Sequence, residues 1–163
     1  MHATPPVPYL DSPGPWLETI FQQIAASRMQ DFPLLSPQLS VEAIGFRQWQ
    51  PEQDLGLLWI GVMLTPWFMN LMLLPASDRP LPTVPPGGQI NLILPGGPMP
   101  FMAGYESALG HYRICSLFSP VTQFVDQDSA RQTALEILAL MFPPPGPADA
   151  PDMSRRHWLR LPT

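Results

Sequence analysis

Two residues with reactive side chains stand four positions apart: His111 and the single cysteine, Cys115, with Tyr112, Arg113 and Ile114 between them. On a strand, positions i and i+4 share a face. The spacing could therefore pair an imidazole with a thiolate, or supply two ligands to a metal. Two ligands do not close a zinc site, and the other histidines, His2 and His157, lie near the two ends of the chain. The plainer reading is a small apolar cysteine in a strand, with a surface histidine nearby. Other catalytic patterns are weaker still. The stretch Gly104-Tyr105-Glu106-Ser107-Ala108-Leu109-Gly110 resembles a nucleophile elbow only in composition, because no Gly-x-Ser-x-Gly is present. Gly87-Gly88 and Gly96-Gly97 sit in Pro-rich turns and lack the dinucleotide-binding spacing. Asp126 and Asp128 are close in sequence, but a helix start accounts for both. No cofactor or metal is implied, and enzymatic activity is not supported. A thiol-dependent enzyme or metal carrier built on His111 and Cys115 stands as the alternative.

The composition narrows the classes further. At 163 residues the chain suits one domain with a real core. Apolar residues make up 45%, yet charged residues only 13%, about half the usual share. The 24 prolines are roughly three times the average usage, and they gather at the ends and in two internal stretches. All eight cationic side chains are arginines; with no lysine, a Walker-type phosphate loop and a Schiff-base enzyme are both excluded. Arg155, Arg156 and Arg160 fall in the last ten residues, so the part before Ser154 carries a net charge of −8. That body would repel phosphate backbones, which argues against nucleic acid as a partner. The lone cysteine suits a reducing compartment, and the N-terminal residues have neither the basic start nor the apolar run of a secretory signal, so a cytoplasmic location is expected.

One stretch competes with a soluble reading. Leu55 to Pro75 is almost continuously hydrophobic and long enough to span a bilayer. Gly56, Gly61, Asn70 and the central Thr65-Pro66 argue against a membrane span, as does the lack of a flanking basic cluster. Proline disfavours helix at the preceding residue, so Thr65 is extended or turn-like. Two buried strands joined at Thr65-Pro66 fit better than one helix.

The elements that must position these residues follow from periodicity. Leu17, Ile20, Phe21 and Ile24 fall on one helical face and predict a helix over about 15–30, with Ser12 or Gly14 and the prolines around them as start chemistry. Strands are predicted over Val41–Trp49, with Ile44 and Phe46 on one face, then Leu55–Leu64 and Trp67–Leu74. Three more follow over Gln89–Leu94, Phe101–Glu106 and Tyr112–Phe118, the last two linked across Gly110. A second helix opens at Asp126, with Ala130, Ala134, Ile137, Leu138 and Met141 as its buried stripe, and Pro143-Pro144-Pro145 stops it. Consecutive strands without intervening helices cannot form parallel crossovers. The expected fold is α+β, a single domain with a largely antiparallel sheet of five or six strands, flanked by an N-terminal and a C-terminal helix. Residues 1–13 read as a Pro-rich arm and 14–142 as the domain. Residues 143–163 read as a Pro-rich linker with a basic, aromatic tail, for which return to the acidic body is favoured over a free arm that reaches a partner.

Two long motifs lend the chain a family likeness. Gly61-Val62-Met63-Leu64-Thr65-Pro66-Trp67-Phe68-Met69-Asn70-Leu71-Met72-Leu73-Leu74-Pro75 and Gly110-His111-Tyr112-Arg113-Ile114-Cys115-Ser116-Leu117-Phe118-Ser119-Pro120 resemble the signature of the HybE/HupJ family of [NiFe]-hydrogenase assembly chaperones. Leu94-Pro95-Gly96-Gly97 followed by Phe101, the helix from Asp126 and the terminal Arg155-Arg156 agree with it. The resemblance covers roughly residues 14–160. It implies a cytoplasmic accessory protein that binds a large- or small-subunit hydrogenase precursor, with other maturation factors as further partners, before export. It implies no catalytic or metal-binding residue. Methionines and tryptophans beside so few charges suit a surface that adapts to another protein. The expected contact region joins Thr65, Pro66, Trp67 and Phe68 at the strand break with Cys115, Ser116, Phe118 and Pro120 at the end of the second motif.

Overall fold

The first helix, α1 (Gly14–Ser27), starts where two prolines can sit at no cost, since the first turn has no use for their missing N–H groups. Pro13 takes the capping position, and its carbonyl accepts from the Leu17 N–H at 2.8 Å. Leu17, Ile20 and Phe21 are buried, as the periodicity requires. The second helix, α2 (Gln127–Met141), opens on Asp126, whose carboxylate accepts from the Ser129 N–H at 2.8 Å. Its stripe is Ala130, Ala134 and Leu138, with Ile137 and Met141 packed alongside. The computed structural model describes residues 12–85 and 87–143. The expectations for the Pro-rich arm and for the basic, aromatic tail therefore lie outside the described residues.

Between the helices run six strands: β1 (Glu42–Trp49), β2 (Leu58–Leu64), β3 (Met69–Pro75), β4 (Gln89–Leu94), β5 (Gly97–Glu106) and β6 (Gly110–Phe118). They form one antiparallel sheet in the order β1-β2-β3-β6-β5-β4, which is the α+β single domain expected. The hydrophobic run of the first motif becomes the β2–β3 hairpin, turning at Thr65-Pro66-Trp67-Phe68. All seven residues of β2 are buried because both faces of the sheet are covered here. Leu58, Ile60, Val62 and Leu64 join the α2-side core, and Met63 joins the α1-side core.

The structure corrects three sequence expectations. Trp67 and Phe68 belong to the turn, so the third strand begins at Met69. Ile44 and Phe46 do not share a face: Ile44 packs on the α2 side and Phe46 on the α1 side. The cause is a bulge between Ile44 and Arg47, centred on Gly45 at φ +68°. A side chain there would be strained, and its Cβ would come within 2.5 Å of Leu138 Cδ1. Finally, β5 begins four residues earlier than predicted and contains Pro98 and Pro100. Both are tolerated because β6 pairs with β5 only from Met102 to Glu106, so no neighbour needs their missing N–H.

Cover is unequal across the sheet. The α1-side core gathers residues of β1, β2, β3 and β6, with none from β4 or β5. Leu92, Leu94 and Phe101 turn inward to the α2 side, while Ile93 and Met102, on the other face, are each 48% exposed.

Candidate partner-binding site

The Thr65–Phe68 turn is held by its own side chain. Thr65 Oγ1 accepts from the N–H groups of Trp67 at 3.2 Å and Phe68 at 3.0 Å, and the Thr65 N–H donates to the Phe68 carbonyl at 2.9 Å. The Pro66 carbonyl accepts from the Ser36 N–H at 2.8 Å, tying the turn to the segment after α1. This geometry points Trp67 inward. It is 8% exposed and part of the α1-side core, with Phe68 edge-on to it at 5.6 Å and edge-on to Phe21 at 5.8 Å. Thr65 is fully buried, so only Pro66 and Phe68 of this group reach solvent, and both only partly.

The second group lies at the same end of the sheet, because Phe118 of β6 pairs with Met69 of β3, the residue that follows the turn. Sequence distance hid this neighbourhood and strand pairing creates it. The two groups nonetheless face different ways. A register shift between Met69 and Asn70 lets Phe118 swing to the α2 side, where it meets Phe124 edge-on at 5.1 Å. Cys115 is 8% exposed in that same core, Ser116 is exposed, and Pro120 is half-buried. Beyond Ile114 no described strand pairs with β6 on its β5 side, and a shallow cleft of about 220 Å³ opens there beside Met102, Pro100 and Ser116.

His111 and Cys115 do lie on one face of β6, but four residues of strand separate them by about 13 Å. The residue between them on that face is Arg113, 1% exposed, whose guanidinium donates to the Pro82 carbonyl at 2.6 Å and the Tyr112 carbonyl at 3.2 Å. A buried cation bonded to backbone replaces the imidazole–thiolate pair. Burial also pushes the Cys115 thiol up, away from the nucleophilic thiolate. His111 instead packs against the Tyr105 ring at 4.9 Å. Among the described residues, no three His, Cys, Asp or Glu side chains gather as metal ligands would. The dyad alternative thus has no geometric basis. The sequence reading missed Arg113, since nothing local marks an arginine that will be buried against a loop carbonyl.

An antiparallel sheet, helices on both faces and chemistry-bearing side chains held apart define a single-domain α+β protein whose distinctive features are surfaces. The chain belongs to the family described as "[NiFe]-hydrogenase assembly, chaperone, HybE", whose profile matches residues 12–161. It is similar to Protein HoxT of Cupriavidus necator, 38% identical over 152 residues that cover 88% of this chain and 85% of the relative. It is also 38% identical over 145 residues to the hydrogenase expression/formation protein HupJ of Bradyrhizobium diazoefficiens, covering 88% of this chain and 78% of that one. The solution structure of HybE from Escherichia coli superposes with a TM-score of 0.63 at 26% identity, covering 90% of this chain and 87% of that one.

Proposed function

We propose that this protein is a non-catalytic accessory chaperone that binds precursors of [NiFe]-hydrogenase subunits in the cytoplasm during their maturation. The observation that carries the reading is the family match, which runs across both long motifs and nearly the whole chain. The separation of His111 from Cys115 supports a role without thiol chemistry. The lone cysteine suits a reducing compartment, and no helix among the described residues is long and apolar enough to cross a membrane.

Within this reading Pro66, Phe68, Ser116, Phe118 and Pro120 form the accessible rim of a contact region at one end of the sheet. Thr65, Trp67 and Cys115 shape it from beneath. The test is co-expression with the large- and small-subunit precursors of a [NiFe]-hydrogenase, followed by co-purification. Capture of one precursor, together with loss of mature hydrogenase when the gene is deleted, is the expected result. Normal hydrogenase maturation in the deletion strain would sink the reading.

A further inference from the structure

Backbone accounting on the outermost strand β4 yields an unexpected surface. In an antiparallel ladder, residue pairs that exchange two hydrogen bonds alternate with pairs whose N–H and C=O groups point away from each other. Proline has no N–H, so Asn91↔Pro100 and Ile93↔Pro98 must be pairs of the second kind. The backbone groups of Asn91 and Ile93, and by alternation those of Gln89, therefore point outward from the sheet. Three bonds agree with this phase. The Asn91 carbonyl accepts from outside the sheet, from Gln53 Nε2 at 3.5 Å, and Ala103 of β5 exchanges bonds with Gly87 and Gly88 on the β4 side. No described strand pairs with this edge. The strand itself carries none of the residues that protect an edge: β4 contains no proline, no bulge and no charge. No charged residue occurs anywhere from Pro80 to Tyr105.

We propose that the outer edge of β4 receives an extended, uncharged segment of a partner polypeptide as a seventh strand. The proposal rests on the chaperone reading and says where and how the partner is gripped. Main-chain hydrogen bonds to Gln89, Asn91 and Ile93 supply affinity without demanding one sequence. The absence of charge on β4 and β5 from Pro80 to Tyr105 favours a neutral segment, because a charge laid along these strands would be desolvated with no counter-charge on them to meet it. The exposed Ile93 extends the contact beyond the backbone. A second copy of this chain is the weaker occupant. Six residues of strand span about 20 Å, too little to reach the roughly 1,200 Å² of a stable dimer interface, whereas a chaperone's hold on its client need only be transient.

Asn91→Pro tests this directly, since the N–H it removes faces away from β5 and the ladder stays intact. Ile93→Lys is the companion variant, leaving every backbone bond in place while adding a charge beside the free donors. The probes are the co-expressed large- and small-subunit precursors, measured by co-purification, with amide exchange of the free and bound protein. Both variants are expected to melt like the wild type and to retain roughly a tenth or less of the bound precursor, a loss of about 1.4 kcal/mol or more. Gln89, Asn91 and Ile93 amides should become protected in the wild-type complex. Full binding by a folded Ile93→Lys protein, or protection confined to β6 and the Thr65–Phe68 turn, would overturn the edge while leaving the chaperone reading standing. A wild-type protein that captures neither precursor defeats both. Self-association that Asn91→Pro abolishes, with precursor binding untouched, would overturn the partner segment in favour of a second copy.

Discussion

The outer strands β1 and β4 meet solvent by different means. On β1 the outward N–H of Ala43 donates to Glu18 Oε2 of α1 at 2.9 Å, and the carboxylate of Glu42 is gripped by Arg131 and Gln127 of α2. The Ser40 N–H just before the strand donates to Gln127 Oε1 at 2.9 Å, and a bulge at Gly45 breaks the edge. Arg47 lies over the Phe142 ring at 5.0 Å. Both helices thus send side chains to the same edge. Among the described residues neither helix sends a side chain to β4, and the bond that reaches its edge from outside the sheet is the long one from Gln53. Edge groups left in water cost little, so the bare edge is not a weakness of the fold. It leaves room for a further strand, and the cover supplied by α1 is concentrated in the half around β1.

That division predicts very unequal responses to mutation. Trp67→Ala, in the covered half, removes a core aromatic and is expected to cost about 3–5 kcal/mol, whereas Met102→Ala, on the bare face, should stay within about 0.5 kcal/mol. Denaturant melts of the two variants check this. Similar melts would mean that α1 does not seal the sheet as described. Next in size is Gly45→Ala, which places a side chain at φ +68° and against Leu138 Cδ1. Strain and overpacking together should cost about 2 kcal/mol or more. An unchanged melting temperature would show that the β1 bulge is soft and that this edge is less closed than its contacts indicate.

Much of the fold was legible in local chemistry, but the division between its two halves was not. The helices were readable because their stripes and the Asp126 cap are local signals, and the Thr65-Pro66 break announced the hairpin. What failed depended on distant partners. The single extra residue at Gly45 reversed the parity that placed Phe46 beside Ile44. The start of β5 at Gly97 was missed, because nothing local shows that the side of β5 that Pro98 and Pro100 face has no neighbour. The two motifs were visible as a family signature, and strand pairing does set Phe118 beside the turn. Their opposite facing, and the burial of Trp67, come from α1 and from the register shift in β6. The charge-free run from Pro80 to Tyr105 was in plain view, but only the order of the sheet made it an edge.

Cys115 stands at the border of the two halves, and its substitution separates packing from chemistry. Cys115→Ser places a hydroxyl in a site that is 8% exposed, so a loss of about 1–2 kcal/mol is expected. Hydrogenase maturation should persist, because burial holds the thiol in its protonated form. Complementation of a deletion strain by the variant is the measurement. Failed maturation with a near-normal melt would revive a chemical role for the thiol.

The smallest expected effect concerns the grip of α2 on β1. Burial alone would raise the Glu42 pKa, but hydrogen bonds from Arg131 at 2.7 and 3.0 Å and from Gln127 at 2.8 Å, with the arginine's charge, outweigh it and hold the carboxyl below its ordinary value. A depressed carboxyl stabilises the fold fully above the unfolded-state value of about 4.3. That contribution disappears as pH falls through the lower folded value. At neutral pH, Glu42→Gln should therefore cost at most about 1 kcal/mol, since the arginine is partly exposed and the pair is screened. The gap between wild type and variant should close as pH falls below about 4.3, and narrow in added salt. Ile93→Lys, at the other edge, changes no carboxylate contact, so its difference from wild type should stay flat over the same range. A Glu42→Gln gap that also stayed flat would remove the charged clamp from the contrast between the edges. Closure of β1 would then rest on the bulge and on Glu18.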